Sequence, residues 1–247
     1  MTGPRKEKKG IPMKCFIRRG SVIALVLALG CSTAPKQADR PGEAGTRLSA
    51  EDMLQWGFYG LGNVTLDGPN TIRLSEDKNS KGVMIISPEI YSTDVELLYR
   101  VKALNPESVL VALLSLSDPG QAGALTVPVA YDGNIQWLLE ETENYFFAFH
   151  NAAHNSTPFI RRHPGGGSLG VKLADLGRNN LNHGVWYDIG AGRLKGMVWL
   201  KVNGVTILKT VDPAPLCGGR VGLRIRGTAE ARAACLIRDV TIRTGER

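Results

Sequence analysis

The 247-residue chain carries 30 Lys and Arg against 23 Asp and Glu, a formal +7 that would suit an anionic partner such as nucleic acid if the charge were spread along the chain. Seven of the basic residues and one of the acids precede Cys31, so the rest of the chain stands at +1, which argues against electrostatic capture of nucleic acid. That remainder is long enough for one β-sandwich or barrel with a sizeable core, and it shows no internal repeat at solenoid or propeller spacing.

A basic segment ending in Arg18-Arg19, an apolar run from Val22 to Leu29 and the small residue Gly30 before Cys31 follow one another in the order of an export signal, for which Met1 and Met13 both offer a start. The run is too short to cross a bilayer core of about 30 Å as a helix. Leu27-Ala28-Leu29-Gly30-Cys31 resembles a bacterial lipobox, with Ala28 where such boxes usually carry Leu. The resemblance implies cleavage before Cys31, its diacylation and a lipid-anchored protein of the cell envelope. Ser32, standing where Asp often retains lipoproteins in the inner membrane, favours the outer one. An ordinary signal peptide or an uncleaved anchor is the alternative. Residues 1–31 are thus read as signal, 32–48, polar and without periodicity, as a flexible tether, and 49–247 as one domain.

Ser49 to Gln55 has the composition of a capped helical turn, and Trp56, Phe58 and Tyr59 with their flanking glycines suit a first strand. Asn63 to Leu66, the Asp67-Gly68 turn and Thr71 to Leu74 read as a hairpin, and Gly82 to Ser87 as a strand stopped by Pro88. Asp94 to Leu104 alternates, with Val95, Leu97, Tyr99 and Val101 on one face, which makes it a half-buried strand. Val109 to Leu116 is apolar throughout and reads as a strand covered on both faces. Thr126 to Tyr131, Ile135 to Leu139 and Tyr145 to His150 are read as three further short strands, and Asn151 to Gly170, with Pro158, Pro164 and three consecutive glycines, as a long irregular loop.

Val171 to Leu173 and Trp186 to Ile189 follow, then a hairpin in which Val198, Leu200 and Val202 face one way and Met197, Trp199 and Lys201 the other, turning at Asn203-Gly204. Arg220 to Arg226 and Cys235 to Arg243 close the chain and are expected to pair with each other. In that pairing Cys217 and Cys235 lie at opposite ends, beyond the Cα separation of about 7 Å that a disulfide tolerates, so two buried thiols are expected. Strands and turns in this rhythm predict an all-β, two-sheet antiparallel β-sandwich.

Tyr145-Phe146-Phe147-Ala148-Phe149, Arg161-Arg162-His163-Pro164-Gly165, Trp186-Tyr187-Asp188-Ile189, Val202-Asn203-Gly204 and the run from Val211 through Gly218-Gly219 to Arg224 together resemble the concanavalin A-like lectin/glucanase superfamily, within it the YesU-like proteins associated with bacterial carbohydrate-use loci. The resemblance spans Tyr145 to Arg243. It implies a jelly roll whose concave face binds saccharide. It also brings a departure: laminarinase-type members carry a Glu-x-Asp-x-x-Glu strand, because retaining hydrolysis needs two carboxylates about 5 Å apart on one face, and no acidic residues here have that spacing.

The candidate ligand contacts are His150, Arg161, Arg162, His163, Trp137, Trp199 and Arg224. Arg161, Arg162 and His163 are adjacent donors, and a guanidinium fork suits the carboxylate of a uronate. Arg224 and Arg226 share one face of their strand. Trp137, Trp186 and Trp199 offer rings against which pyranose C–H faces can stack, although core packing is the usual fate of a sandwich tryptophan. His150 and His154 have the spacing of zinc ligands on a helix, but a strand precedes them and no zincin Glu lies between, so no metal is assigned. Asp212 is read as capping its proline-containing loop, with a structural calcium role implied by superfamily analogy alone. Three functions stay open: a glycan-binding envelope lipoprotein, a hydrolase or lyase with an unrecognised acid/base pair, and a non-catalytic docking module.

Overall fold

The computed structural model describes residues 45–91, 94–150, 158–164, 169–178, 181–228 and 231–245. Its strands, numbered along the chain, form two antiparallel sheets packed face to face. The first runs in space β13 (Val205–Val211), β12 (Met197–Val202), β11 (Tyr187–Leu194), β6 (Val95–Ala103), β15 (Ala234–Thr244), β4 (Thr71–Glu76) and β3 (Gly62–Leu66), with β1 (Gly45–Leu48) also on β15. The second runs β10 (Val171–Asp175), β9 (Phe159–His163), β8 (Glu143–Phe149), β7 (Val109–Ser117), β14 (Arg220–Arg226), β5 (Val83–Ile86) and β2 (Gly57–Gly60). Among the described residues no helix is long and apolar enough to cross a membrane.

Alternation decides which side chains meet between the sheets, because successive strand residues point to opposite faces. Leu97, Tyr99 and Val101 of β6, Leu200 of β12 and Ile237 of β15 meet Leu110 and Leu114 of β7, Phe147 and Phe149 of β8 and Leu223 of β14 in one buried cluster. Fully burying each large apolar side chain contributes about 1.5–3 kcal/mol. The hairpin turns where its Asn-Gly asked it to: Asn203 and Gly204 both take positive φ, 49° and 78°. α1 (Ala50–Leu54) is started by a reciprocal cap, Ser49 Oγ accepting from the Asp52 amide at 3.1 Å and Asp52 Oδ2 from the Ser49 amide at 2.8 Å, and it buries Ala50 and Met53.

Four expectations are corrected. β14 and β15 are not a hairpin: β14 pairs with β5 and β7, β15 with β6, β4 and β1, so consecutive strands lie in opposite sheets. The last residues of the expected tether, Gly45–Leu48, form β1, paired with Val240–Arg243 beyond a bulge in β15 at Asp239. Residues 126–131 and 135–139 are not strands. The first is irregular and the second falls in a π-helical turn, Trp137–Glu141. Conversely, the expected loop after His150 contains β9, flanked by Pro158 and Pro164. No disulfide joins Cys217 and Cys235. Cys235 is buried in β15, where desolvation pushes its thiol up to about 12, and Cys217 is half-buried.

Candidate functional site

The outer face of the second sheet is where the strand pattern gathers most of the expected ligand contacts, and it is largely filled by the protein's own chain. Met84, Ile86, Val111, Leu113, Phe146 and Ala148 point outward and are covered by residues 118–141, which lay Leu125, Val127, Ile135, Trp137 and Leu138 on them. Asp118 starts this cover by accepting from the Thr126 amide and hydroxyl, each at 2.8 Å. Trp137 is buried with its ring edge-on to Tyr131, centroids 5.2 Å apart.

Arg224 lies under the cover, 2% exposed, and its Nη2 donates to the Lys81 and Gly133 carbonyls, each at 2.9 Å. Burial pulls its pKa down, against the favourable field of Tyr131. Lys81 adds a second tie, its amide donating to the Asp132 carbonyl at 3.0 Å and its ammonium pairing with the Asp132 carboxylate at 2.7 Å. Gly133 approaches Gly82 so closely that a Cβ on it would sit 1.8 Å from the Gly82 carbonyl oxygen. Trp137 and Arg224 therefore hold the cover down, and Arg226 is likewise turned to the Lys81 and Gly227 carbonyls.

Beyond the cover, β9 brings Phe159, Arg161 and His163 to this same face. The Phe159 ring is half-buried and stacked on Phe146 at 6.2 Å and 12°, and the Arg161 guanidinium stands 4.9 Å from its centre while donating to the Leu169 carbonyl. Lys172 of β10, exposed and in register with Arg161, adds a second cation beside Asp175. His163 is sealed beneath, edge-on to Phe146, with Gly170 packed so tightly that a Cβ there would meet its Cε1 at 2.3 Å. Desolvation, then Arg161, lowers its pKa to about 4. It is a neutral packing group under a cationic aromatic rim.

The remaining expected residues lie elsewhere. Arg162 points inward and donates to Asp212 Oδ1 at 3.2 Å and to the Ala214 carbonyl. Asp212, 2% exposed, also accepts from the Tyr145 hydroxyl at 2.8 Å and the Ala214 amide at 3.0 Å, so it caps its loop as expected. With its oxygens on an arginine, a phenol and an amide, it does not fit a calcium ligand. Arg193 completes this buried network, donating to the Leu216 and Cys217 carbonyls and to Ser115 beneath the Tyr145 ring. His150 is buried, with Nδ1 2.6 Å from the Ser108 carbonyl, and burial lowers its pKa. His154 lies outside the described residues, as does Cys31, and among the described residues no group of three His, Cys, Asp or Glu could hold a metal ion. Trp199 is on the opposite sheet, lying across Gly192 with its indole nitrogen donating to Glu96 at 3.0 Å.

Two packed antiparallel sheets with this crossing of consecutive strands decide the architecture. The fold is a jelly-roll sandwich. It is similar to a Bacillus subtilis protein of unknown function with a galectin-like fold, at 14% identity over 80% of this chain and 92% of that one, TM-score 0.67. It is also similar to the carbohydrate-binding module CBM66 from Bacillus subtilis, at 11% identity over 76% and 95% with TM-score 0.52, and to the κ-carrageenase from Pseudoalteromonas carrageenovora complexed with a κ-carrageenan oligosaccharide, at 12% identity over 86% and 99% with TM-score 0.53. No protein-family model and no curated protein matches the chain. The carbohydrate-binding module and the carrageenase bind or process carbohydrate, and at these identities what this jelly roll has in common with all three neighbours is the fold.

Phe159 and Lys172 are the rim residues the sequence reading missed. The signal for Phe159 was present as the alternation Phe159, Arg161, His163, hidden between two prolines.

Proposed function

We propose that the protein is an exported, lipid-anchored glycan-binding module of the cell envelope, which holds saccharide at the Phe159–Arg161–Lys172 rim without cleaving it. The observation that carries this reading is the contrast on one face of the second sheet. Its centre is apolar and covered by residues 118–141, while β9 and β10 beyond the cover leave a half-buried aromatic ring and two cations in reach of solvent. A ring of this kind packs against pyranose C–H faces, and Arg161 can donate to hydroxyls or to a uronate carboxylate. The fold of the carbohydrate-binding neighbours and the resemblance to YesU-like proteins support the ligand class, the Leu27–Cys31 lipobox supports the anchor, and Ser32 in place of an Asp after Cys31 favours the outer membrane.

The test is a screen of the full chain against neutral, acidic and uronate-rich glycans, with released product assayed in the same wells. Binding without product, weakened roughly tenfold or more by Arg161→Ala as expected for loss of a charge-assisted contact, supports the reading. Product release would replace it with the hydrolase or lyase reading, and silence across the panel would leave the docking module. Cys31→Ser is expected to move the protein from the membrane to the soluble fraction and to remove the mass of a diacylglyceryl group.

A further inference from the structure

The outer face of the first sheet differs from that of the second. Its outward side chains on β6, Glu96, Leu98, Arg100 and Lys102, are all half-exposed. Next to them, β11 turns Asp188, Gly190 and Gly192 outward, in register with Arg100, Leu98 and Glu96. Both glycines are buried: the Trp199 ring of β12 lies in the space a Gly192 side chain would take, and Leu98 and Lys201 come to 3.1 Å and 3.3 Å from where a Gly190 Cβ would sit, so the two missing side chains let the half-exposed Trp199 ring lie flat on the sheet.

Aromatic rings mark both ends of this face. At one end, the Trp186 ring has the Arg238 guanidinium 4.3 Å from its centre, the Lys102 ammonium at 5.2 Å and the Arg100 guanidinium at 5.8 Å. At the other, Trp199 lies flat across Gly192, and Glu96 collects its indole N–H, the Lys201 ammonium at 2.7 Å and Arg243 at 3.7 Å. A hollow of about 80 Å³ opens beside it between Asp94, Glu96, Arg193 and Arg243. Trp186, just before β11, and Gly192 within it are six residues apart, about 20 Å at 3.3 Å per extended residue, a length that seats several sugar rings of one chain.

The charge along this face selects the occupant. Arg100, Lys102, Lys201, Lys209, Arg238 and Arg243 face outward with Glu96, Asp188 and Asp239 between them. Excess cation calls for an anionic partner, while carboxylates set among the cations suit a polymer that also brings hydroxyl donors. A nucleic-acid backbone offers its phosphates at close, regular spacing and few such donors. A membrane surface fits less well, because an interfacial tryptophan has to project into the headgroups, whereas Trp199 lies flat on Gly192 with its N–H already engaged.

We propose that this aromatic and cationic outer face of the first sheet is a second binding site, for a linear acidic polysaccharide bearing uronate or sulfate groups. Its chain runs along β11, its rings pack on Trp186 and Trp199, and its anions pair with Arg238, Lys102 and Lys201. The site is on the opposite side of the sandwich from the Phe159–Arg161 rim and does not depend on it.

Binding of the full chain is measured by titration calorimetry with polygalacturonate, with dextran, duplex DNA and phosphatidylglycerol vesicles as comparison probes. Polygalacturonate is expected to bind and dextran not to occupy this face. On an Arg161→Ala background, which removes the rim's own contact, the pair Lys102→Gln/Arg238→Gln should weaken polygalacturonate binding roughly tenfold or more and flatten its salt dependence, and Trp186→Ala should weaken it by a similar factor without changing the salt slope. Lys209→Gln, exposed on the same face, serves as a milder variant, and thermal unfolding checks that each is folded. Wild-type affinity in the paired variant, absence of polygalacturonate binding, or equal affinity for DNA or vesicles would overturn the proposal. Loss of binding only on Arg161→Ala would place acidic glycan on the rim and overturn this inference while leaving the proposed function standing.

Discussion

His163 is 0% exposed, and neither ring nitrogen makes a well-formed hydrogen bond, the Leu139 backbone offering only a weak one. Its pKa of about 4 in the folded protein is below the 6.5 of an unfolded histidine, so between those values the unfolded chain takes up a proton that the folded one does not. Stability from this group is therefore complete above pH 6.5, is lost as pH falls towards 4, and levels off below. His150, lowered by burial too, acts in the same direction. Thermal midpoints measured between pH 7 and 4 are expected to fall, and His163→Leu should make that fall shallower; an unchanged slope would rule His163 out as its source. The sequence marks Arg161, Arg162 and His163 as three adjacent donors, but a strand sends neighbours to opposite faces. Only Arg161 meets solvent on the outer face, because Arg162 turns inward to Asp212 and His163 is roofed by Gly170.

β6, β7 and the β12–β13 hairpin are legible in the sequence because each carries its own signal: strict alternation, an apolar run too short for a helix, and an Asn-Gly turn. The cover is not. Residues 126–139 contain apolar groups in short runs, which reads as strand, yet those groups are buried against a sheet face with no strand partner, and Pro128 and Gly133 keep the backbone irregular. The clue lay in β7, whose uninterrupted apolar character already required something over both of its faces. Trp137 is the large anchor of that covering. Trp137→Ala is expected to cost about 3–5 kcal/mol where the cavity cannot collapse, and to speed amide exchange across residues 118–141 well before the rest of the second sheet. Uniform exchange over the whole sandwich would show that the cover has no independent stability.

For the whole molecule, composition and turn spacing were enough for a two-sheet antiparallel sandwich, but not for which strands share a sheet. β14 and β15 are consecutive, have similar alternation and are separated by a short connection, and nothing local tells the chain to cross between sheets there; β15 is claimed by β6, β4 and β1 instead. The same long strand recruits the residues expected to be tether. Gly45–Leu48 pair with Val240–Arg243, and Arg47 reaches Asp239 at 3.2 Å. A chain beginning at Ser49 is expected to be less stable in denaturant than one beginning at Ala44 by roughly 1–2 kcal/mol, the scale of a few edge hydrogen bonds partly replaced by water. Equal midpoints would mean that β1 adds nothing to the fold.

The pairing of Gly45 with Arg243 also puts the first and last described strands side by side at one corner. The covalent order of the sandwich is consequently open to rearrangement. A short linker across that corner, with the chain reopened at the exposed Asn203-Gly204 turn, would keep every strand next to its present neighbours in a circularly permuted protein.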